Sequence, residues 1–243
     1  MQDPLKLHCR RPPSPSYLSP RRLEPVLNST KAVSLVAITL ILATSACDAA
    51  PASTGSDAVA HPTQCALLRG GGQHDVDPED TPEKPWPHRR DGAEVIVGFE
   101  TGGLSGRYEK LVREAASIWS VSPCIQAIAV EECKAGGNCV FVEERFSARD
   151  RGTDGEFRGR GAGPFRTGGT ITLYTGLLDR SSDNGALATV VHEMGHALGL
   201  VHRGNRETVM NAETDDKTNA VPDAVDFTNL VVIYGAPAAA PSG

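Results

Sequence analysis

The stretch 190-VVHEMGHALGLVH-202 decides how the chain is read. Val190, Val191, Leu198 and Leu200 are what a buried helix carries, yet three histidines, one glutamate and two glycines share the same thirteen residues. At about 100° per residue, His192 and His196 differ by about 40° and lie about 6 Å apart along one helical face, so both imidazoles can meet one point. His202 stands six residues beyond His196. In a continuous helix it would be about 120° away and about 9 Å further along, out of reach. For all three to converge, the chain must leave the helix and turn back, and Gly199 occupies the place where a helix ends in a left-handed conformation that costs glycine little.

Three neutral imidazoles at about 2.0–2.1 Å leave the fourth tetrahedral position of a zinc ion for solvent, the mark of a catalytic rather than a structural site. Glu193 is too far around the helix to be a natural third ligand, but its carboxylate can reach a water held there, which is the geometry of H-E-x-x-H zinc hydrolases. With 7 His, 15 Glu and 25 Gly among 243 residues, the full H-E-x-x-H-x-x-G-x-x-H pattern arises by chance with odds of about a few in 10⁵. A single histidine on an apolar helix is usually a satisfied core residue. Three at these spacings, without a metal, would leave buried ring nitrogens unpartnered. The expected site is therefore His192, His196 and His202 as ligands of one Zn²⁺, Glu193 as the catalytic group and Gly199 as the helix-ending turn.

Around this core, 93-AEVIVGFE-100 alternates and is rich in β-branched residues, predicting a strand where order begins, near Ala93. In 105-SGRYEKLVREAASIWSV-121, Tyr108, Leu111, Val112, Ala115, Ala116 and Trp119 recur at helical spacing, with Ser105 as a candidate cap. The stretches 139-CVFVEERF-146 and 168-GGTITLYTG-176 predict further strands. Between them, 151-RGTDGEFRGRGAGPFRTGG-169 reads as a loop or an irregular edge strand. The apolar run from Ala186 to Val201 is a second helix, and 222-PDAVDFTNLVVIYG-235 a third.

The segment HEMGHALGLVH, followed eight residues later by Met210 in ETVMNAE, resembles the metzincin metalloproteases, and within them the matrixins, over residues 93–236. The resemblance implies an α+β catalytic domain: a twisted mixed sheet, two long helices, and a small C-terminal subdomain ending in a third helix. It implies Met210 as the Met-turn residue, its sulfur an apolar floor under the imidazoles. It also implies a zinc-dependent endopeptidase with Glu193 as general base, acting on a protein or peptide laid along the RGRGAGPF segment, with TITLYT one strand further in. Three features depart from the matrixin pattern. No cysteine switch of the P-R-C-G type is present, HPTQCALL around Cys65 being no substitute; no histidine lies between His88 and His192 to build a second, structural zinc site; and for Ca²⁺ RGTDGEF offers only one Asp and a few carbonyls, so it is either a thin calcium site or, more plainly, a solvated loop. Glu213, Asp215 and Asp216 hint at basic substrates, with an ordinary solvated loop as the plainer reading. The alternatives are a catalytically silent zinc-binding surface lipoprotein and a hydrolase of another small amide or ester.

Residues 32-AVSLVAITLILATSA-46 are uncharged, follow Lys31 and end in small residues before Cys47. They are short for a membrane span, which needs about 20 residues, and fit the core of a signal peptide covering 1–47, whose start could be assigned too early. ATSAC resembles a bacterial lipobox, so Cys47 is either a lipidated first residue or a neighbour of a simple cleavage site. An exported protein follows, at the cell surface or in the periplasm if lipidated, touching a membrane only through that anchor. Residues 48–92 have the Pro, Gly and charge content of a solvated tether or short pro-segment, and 237–243 that of a disordered tail. Beyond residue 47 the chain carries 18 basic and 28 acidic groups, which disfavours nucleic acid and anionic membrane as main partners. A monomer is expected. Cys65, Cys124, Cys133 and Cys139 form an even set behind an export signal and predict two disulfides, with Cys133–Cys139 the first candidate pair among three connectivities.

Overall fold

The alternating 95–100 stretch becomes an interior strand of a five-stranded mixed sheet. In the computed structural model, which describes residues 59–67, 71–88, 93–146 and 153–237, the elements in chain order are β1 (Ala66–Leu67), β2 (Val95–Glu100), α1 (Gly106–Trp119), β3 (Ile125–Val130), β4 (Cys139–Arg145), β5 (Gly155–Ala162), β6 (Phe165–Tyr174), α2 (Thr175–Leu178), α3 (Asp183–Ala197), α4 (Ala224–Tyr234) and β7 (Ala236–Pro237). All belong to one unit, residues 54–243. The expected signal segment with Cys47, and the tail from residue 238, lie outside the described residues.

The sheet order is β3-β2-β4-β6-β5, parallel except for β5, which runs antiparallel to β6 at one edge. Val95, Val97 and Phe99 of β2 point into the core while Ile96 faces out, as a period of two requires. In α1 the six residues at helical spacing are all buried. Ser105 is its N-cap residue, but its side chain makes no cap bond. The indole of Trp119 donates to the Val191 carbonyl at 2.9 Å, locking α1 against α3, and its ring meets Phe227 of α4. Helix α3 starts earlier and ends earlier than the apolar run predicts. Ser182 caps it through Gly185 N–H at 3.0 Å, while Leu198, Leu200 and Val201 stay buried in the turn that follows rather than in the helix. Helix α4 opens with a capping box formed by Asp223 and Asp226.

Of the loop and the irregular edge strand left open for the Gly and Arg-rich stretch, the structure shows the edge strand: β5 and β6 form a hairpin through Gly163, whose φ of 57° suits the first place of a two-residue turn, and the register shifts between Arg160 and Gly161. Two other readings are corrected. From Gly155 on, the RGTDGEF segment is strand rather than solvated loop, Gly155 being buried where β5 sets out. The interval before Cys133 holds β3, parallel to β2, which the alternation around Ile125 had not marked out.

The second concerns the described residues 59–67 and 71–88. They do not behave as a tether, and order begins well before Ala93. Cys65 is disulfide-bonded to Cys124, and β1 pairs with β7. His74 and Asn229 exchange two hydrogen bonds of 2.7 and 3.0 Å. Trp86 is fully buried, its indole donating to the Ala197 carbonyl at 2.8 Å. The segment lacks a hydrophobic period because it is an extended strap held by separate anchors, so composition alone reads as solvated chain. The second disulfide is the expected Cys133–Cys139 pair.

Candidate metal centre

Helix α3 carries His192 and His196 one turn apart and then stops abruptly. Leu200 N–H donates to Gly195 O and Gly199 N–H to His196 O, both at 3.0 Å, the paired bonds of a Schellman motif. Gly199 takes the left-handed position with φ 103°. The chain thus doubles back where the spacing required. His202 returns to its two predecessors: His196 Nε2 lies 3.0 Å from His192 Nε2 and 3.2 Å from His202 Nε2.

What the rings do on their other side fixes the chemistry. His192 Nδ1 lies 2.7 Å from the Val209 carbonyl, and His196 Nδ1 lies 2.9 Å from the Leu200 carbonyl. His202 Nδ1 lies 3.0 Å from an Asp80 carboxylate oxygen. Each partner can only accept, so each Nδ1 carries the proton and each Nε2 presents a lone pair. Burial pushes the His192 imidazole down to about 3 and lowers that of His196, favouring the neutral ligand forms. Three lone pairs aimed at one another repel unless a cation lies among them. Tetrahedral ligands about 2.0–2.1 Å from a zinc-sized ion stand about 3.3–3.4 Å apart, close to the two separations observed. The donor set therefore fits a metal ion. Among the described residues, these three histidines are the group of His, Cys, Asp and Glu able to hold one, with ligand atoms within 4.8 Å of one another.

Glu193 does not join that group. It is buried under the start of β5, where the Phe157 backbone N–H donates to its carboxylate. Burial, with Asp154 nearby, pushes the carboxyl up to about 8. A Cβ at Gly155 would stand 2.8 Å from Glu193 Cγ and from Thr189 Cγ2; glycine there lets the edge strand pass directly over α3.

Met210 is fully buried, and its sulfur packs on the α3 backbone at Gly195, between the two helical ligands. The turn that carries it also supplies the Val209 carbonyl to His192. Behind the third ligand lies a hub that the sequence did not mark out. Arg203, buried, donates to Thr208 Oγ1 at 3.1 Å, Asp223 at 2.7 Å and Asp226 at 2.8 Å, and its backbone N–H donates to Met210 O. One side chain so joins the third ligand's segment, the Met210 turn and α4. Burial opposes its charge, but the bonds to Asp223 and Asp226 outweigh that and raise its pKa. Asp80 was equally unforeseen; burial works against its ionisation, yet the bonds from His202 hold its carboxyl below the ordinary value. The one signal was position: an arginine directly after the last histidine, and acids clustered in DVDPED. Of Glu213, Asp215 and Asp216, read as a hint of basic substrates or, more plainly, as an ordinary solvated loop, the two aspartates hold the local backbone. Asp215 closes its own loop through Lys217 and Thr218 N–H, and Asp216 accepts from Ser182 N–H and Oγ at the start of α3.

No protein-family model matches the chain, and no curated protein matches it in sequence. Two disulfides indicate an oxidising compartment, and no helix among the described residues is long and apolar enough to cross a membrane.

Proposed function

We propose that the chain is an exported, zinc-dependent endopeptidase of metzincin type, closest in pattern to the matrixins. The observation that carries this reading is the set of three imidazoles whose Nδ1 protons are all engaged by oxygen acceptors, leaving three Nε2 lone pairs facing one point. His192, His196 and His202 would hold the ion. Zinc, when bound, polarises a carbonyl and lowers the pKa of water toward 7. Glu193, one residue along the helix from the first ligand, takes the proton from the attacking water and delivers it to the leaving amine. Met210 supplies the apolar floor. A peptide substrate adds a strand along β5, whose place at the sheet edge and exposed run from Arg158 to Ala162 support that role. Cys47 is the proposed lipid anchor, and the enzyme acts as a monomer.

Digestion of casein or a peptide library by the wild type and by Glu193→Ala, with zinc content measured in both, tests this. The wild type should cleave in a chelator-sensitive way, and the variant should lose about 10²-fold or more of the rate while keeping its zinc. Zinc without cleavage by either form would favour a silent metal-binding lipoprotein. Turnover confined to non-peptide amides or esters would favour the other hydrolase.

A further inference from the structure

The strap ahead of the sheet brings a carboxylate to the third ligand. A single Asp80 oxygen, Oδ2, accepts from the His202 backbone N–H at 2.8 Å and lies 3.0 Å from its Nδ1. The contact is built rather than casual. Asp77 N–H donates to His202 O at 2.9 Å, Val76 forms an antiparallel bridge with Arg203, and the Asp75 carboxylate lies 3.1 Å from the Arg203 guanidinium. On the far side, Glu83 pairs with the buried Arg166 at 2.6 Å and Trp86 is fully enclosed. The other two ligands are oriented by backbone carbonyls of the turns that follow α3. His202 alone is oriented by a side chain, and that side chain arrives from 122 residues earlier.

We propose that Asp80 is a positioning residue of the metal centre: its carboxylate fixes the tautomer and ring plane of His202 and makes that imidazole a stronger donor to a dication. The strap segment that carries Asp80 is then a working part of the site rather than a removable leader. This rests on the three-histidine reading of the centre. Carboxylates hydrogen-bonded to ligating histidines typically contribute about 10- to 100-fold in metal affinity.

The test is competition titration of the metal-free full exported chain with Zn²⁺ against a chelating indicator, together with Co²⁺ visible spectra, for wild type, Asp80→Ala, Asp80→Asn, Asp75→Asn and His202→Ala. Asp80→Ala should bind about 10- to 100-fold more weakly. Asp80→Asn keeps an accepting oxygen without the charge, so it should lose about 3- to 10-fold and shift the Co²⁺ bands. Asp75→Asn removes a strap ion pair that touches no ligand, and should match the wild type in affinity and spectrum. Wild-type affinity in both Asp80 variants, with binding lost in His202→Ala, would overturn the role of Asp80 and leave the centre intact. An Asp75→Asn loss equal to that of Asp80→Asn would also overturn it, assigning the effect to strap docking. Binding indifferent to His202→Ala would sink the three-histidine reading itself. Should Asp80→Ala fail to fold, the near-isosteric Asp80→Asn, set against Asp75→Asn, decides.

Discussion

Two glycines in the histidine segment serve different physical ends. Gly199 has a φ of 103°, and a Cβ built there would meet nothing closer than 3.5 Å, so it supplies backbone conformation and not space. Gly195 is helical, but the Met210 sulfur and Trp119 fill the place where a Cβ would go. Gly199→Ala should therefore cost about 1–2 kcal/mol, lowering Tm by about 2–8 °C in a domain of this size. Its zinc affinity should fall too, since the same turn presents the Leu200 carbonyl to His196 and returns His202. Thermal melts of the metal-free protein and a zinc competition assay check both halves. The role of Gly199 was legible in the spacing alone, because six residues cannot place a third imidazole beside two others on an uninterrupted helix. That of Gly195 was not, for it depends on which side chains arrive from α1 and from the Met210 turn.

At the scale of elements, the strap makes the sharpest demand. Trp86 is buried between α3 and α4, with its indole on the Ala197 carbonyl and its backbone N–H on Tyr234 Oη at 3.3 Å. Trp86→Ala should destabilise the domain by about 3–5 kcal/mol, read from the denaturant midpoint, an effect no solvated tether would produce. Elements with a clear pattern were legible: the apolar face of α1, the alternation of β2, and a helix within 222–235, though not the capping box that opens it. The strap was not, because its anchors are single residues among prolines and charges, and neither a period of 2 nor of 3.6 runs through them. In β3 the alternation is blurred by Ile128, an apolar residue on the outer face. β5 stayed open between loop and edge strand because of its glycines; at Gly155 and Gly159 they admit Glu193 and Arg166.

Across the whole molecule, covalent and metal constraints act on distant parts of the chain. Cys65–Cys124 spans a separation of 59 residues and Cys133–Cys139 one of 6. On the chain-entropy relation the long loop contributes about 4 kcal/mol and the short one about 2 kcal/mol, so the disulfide that pins the strap is the larger stabiliser. That strap carries Asp80 to His202, and Arg203 next to it is tied to α4. The third ligand is thus the place where the N-terminal strap and the C-terminal helix meet the helix-borne pair. The triad itself was legible because its spacing is fixed within eleven residues, whereas its support comes from residues some 120 positions upstream and 20 downstream that no local pattern joins. The most direct measurement is zinc-edge X-ray absorption on the zinc-loaded chain, with metal stoichiometry determined on the same sample. One zinc per chain, bound by three imidazole nitrogens at about 2.0–2.1 Å and one further light atom, is the result expected. Fewer than three imidazoles in the first shell, or a spectrum unchanged by His202→Ala, would contradict it.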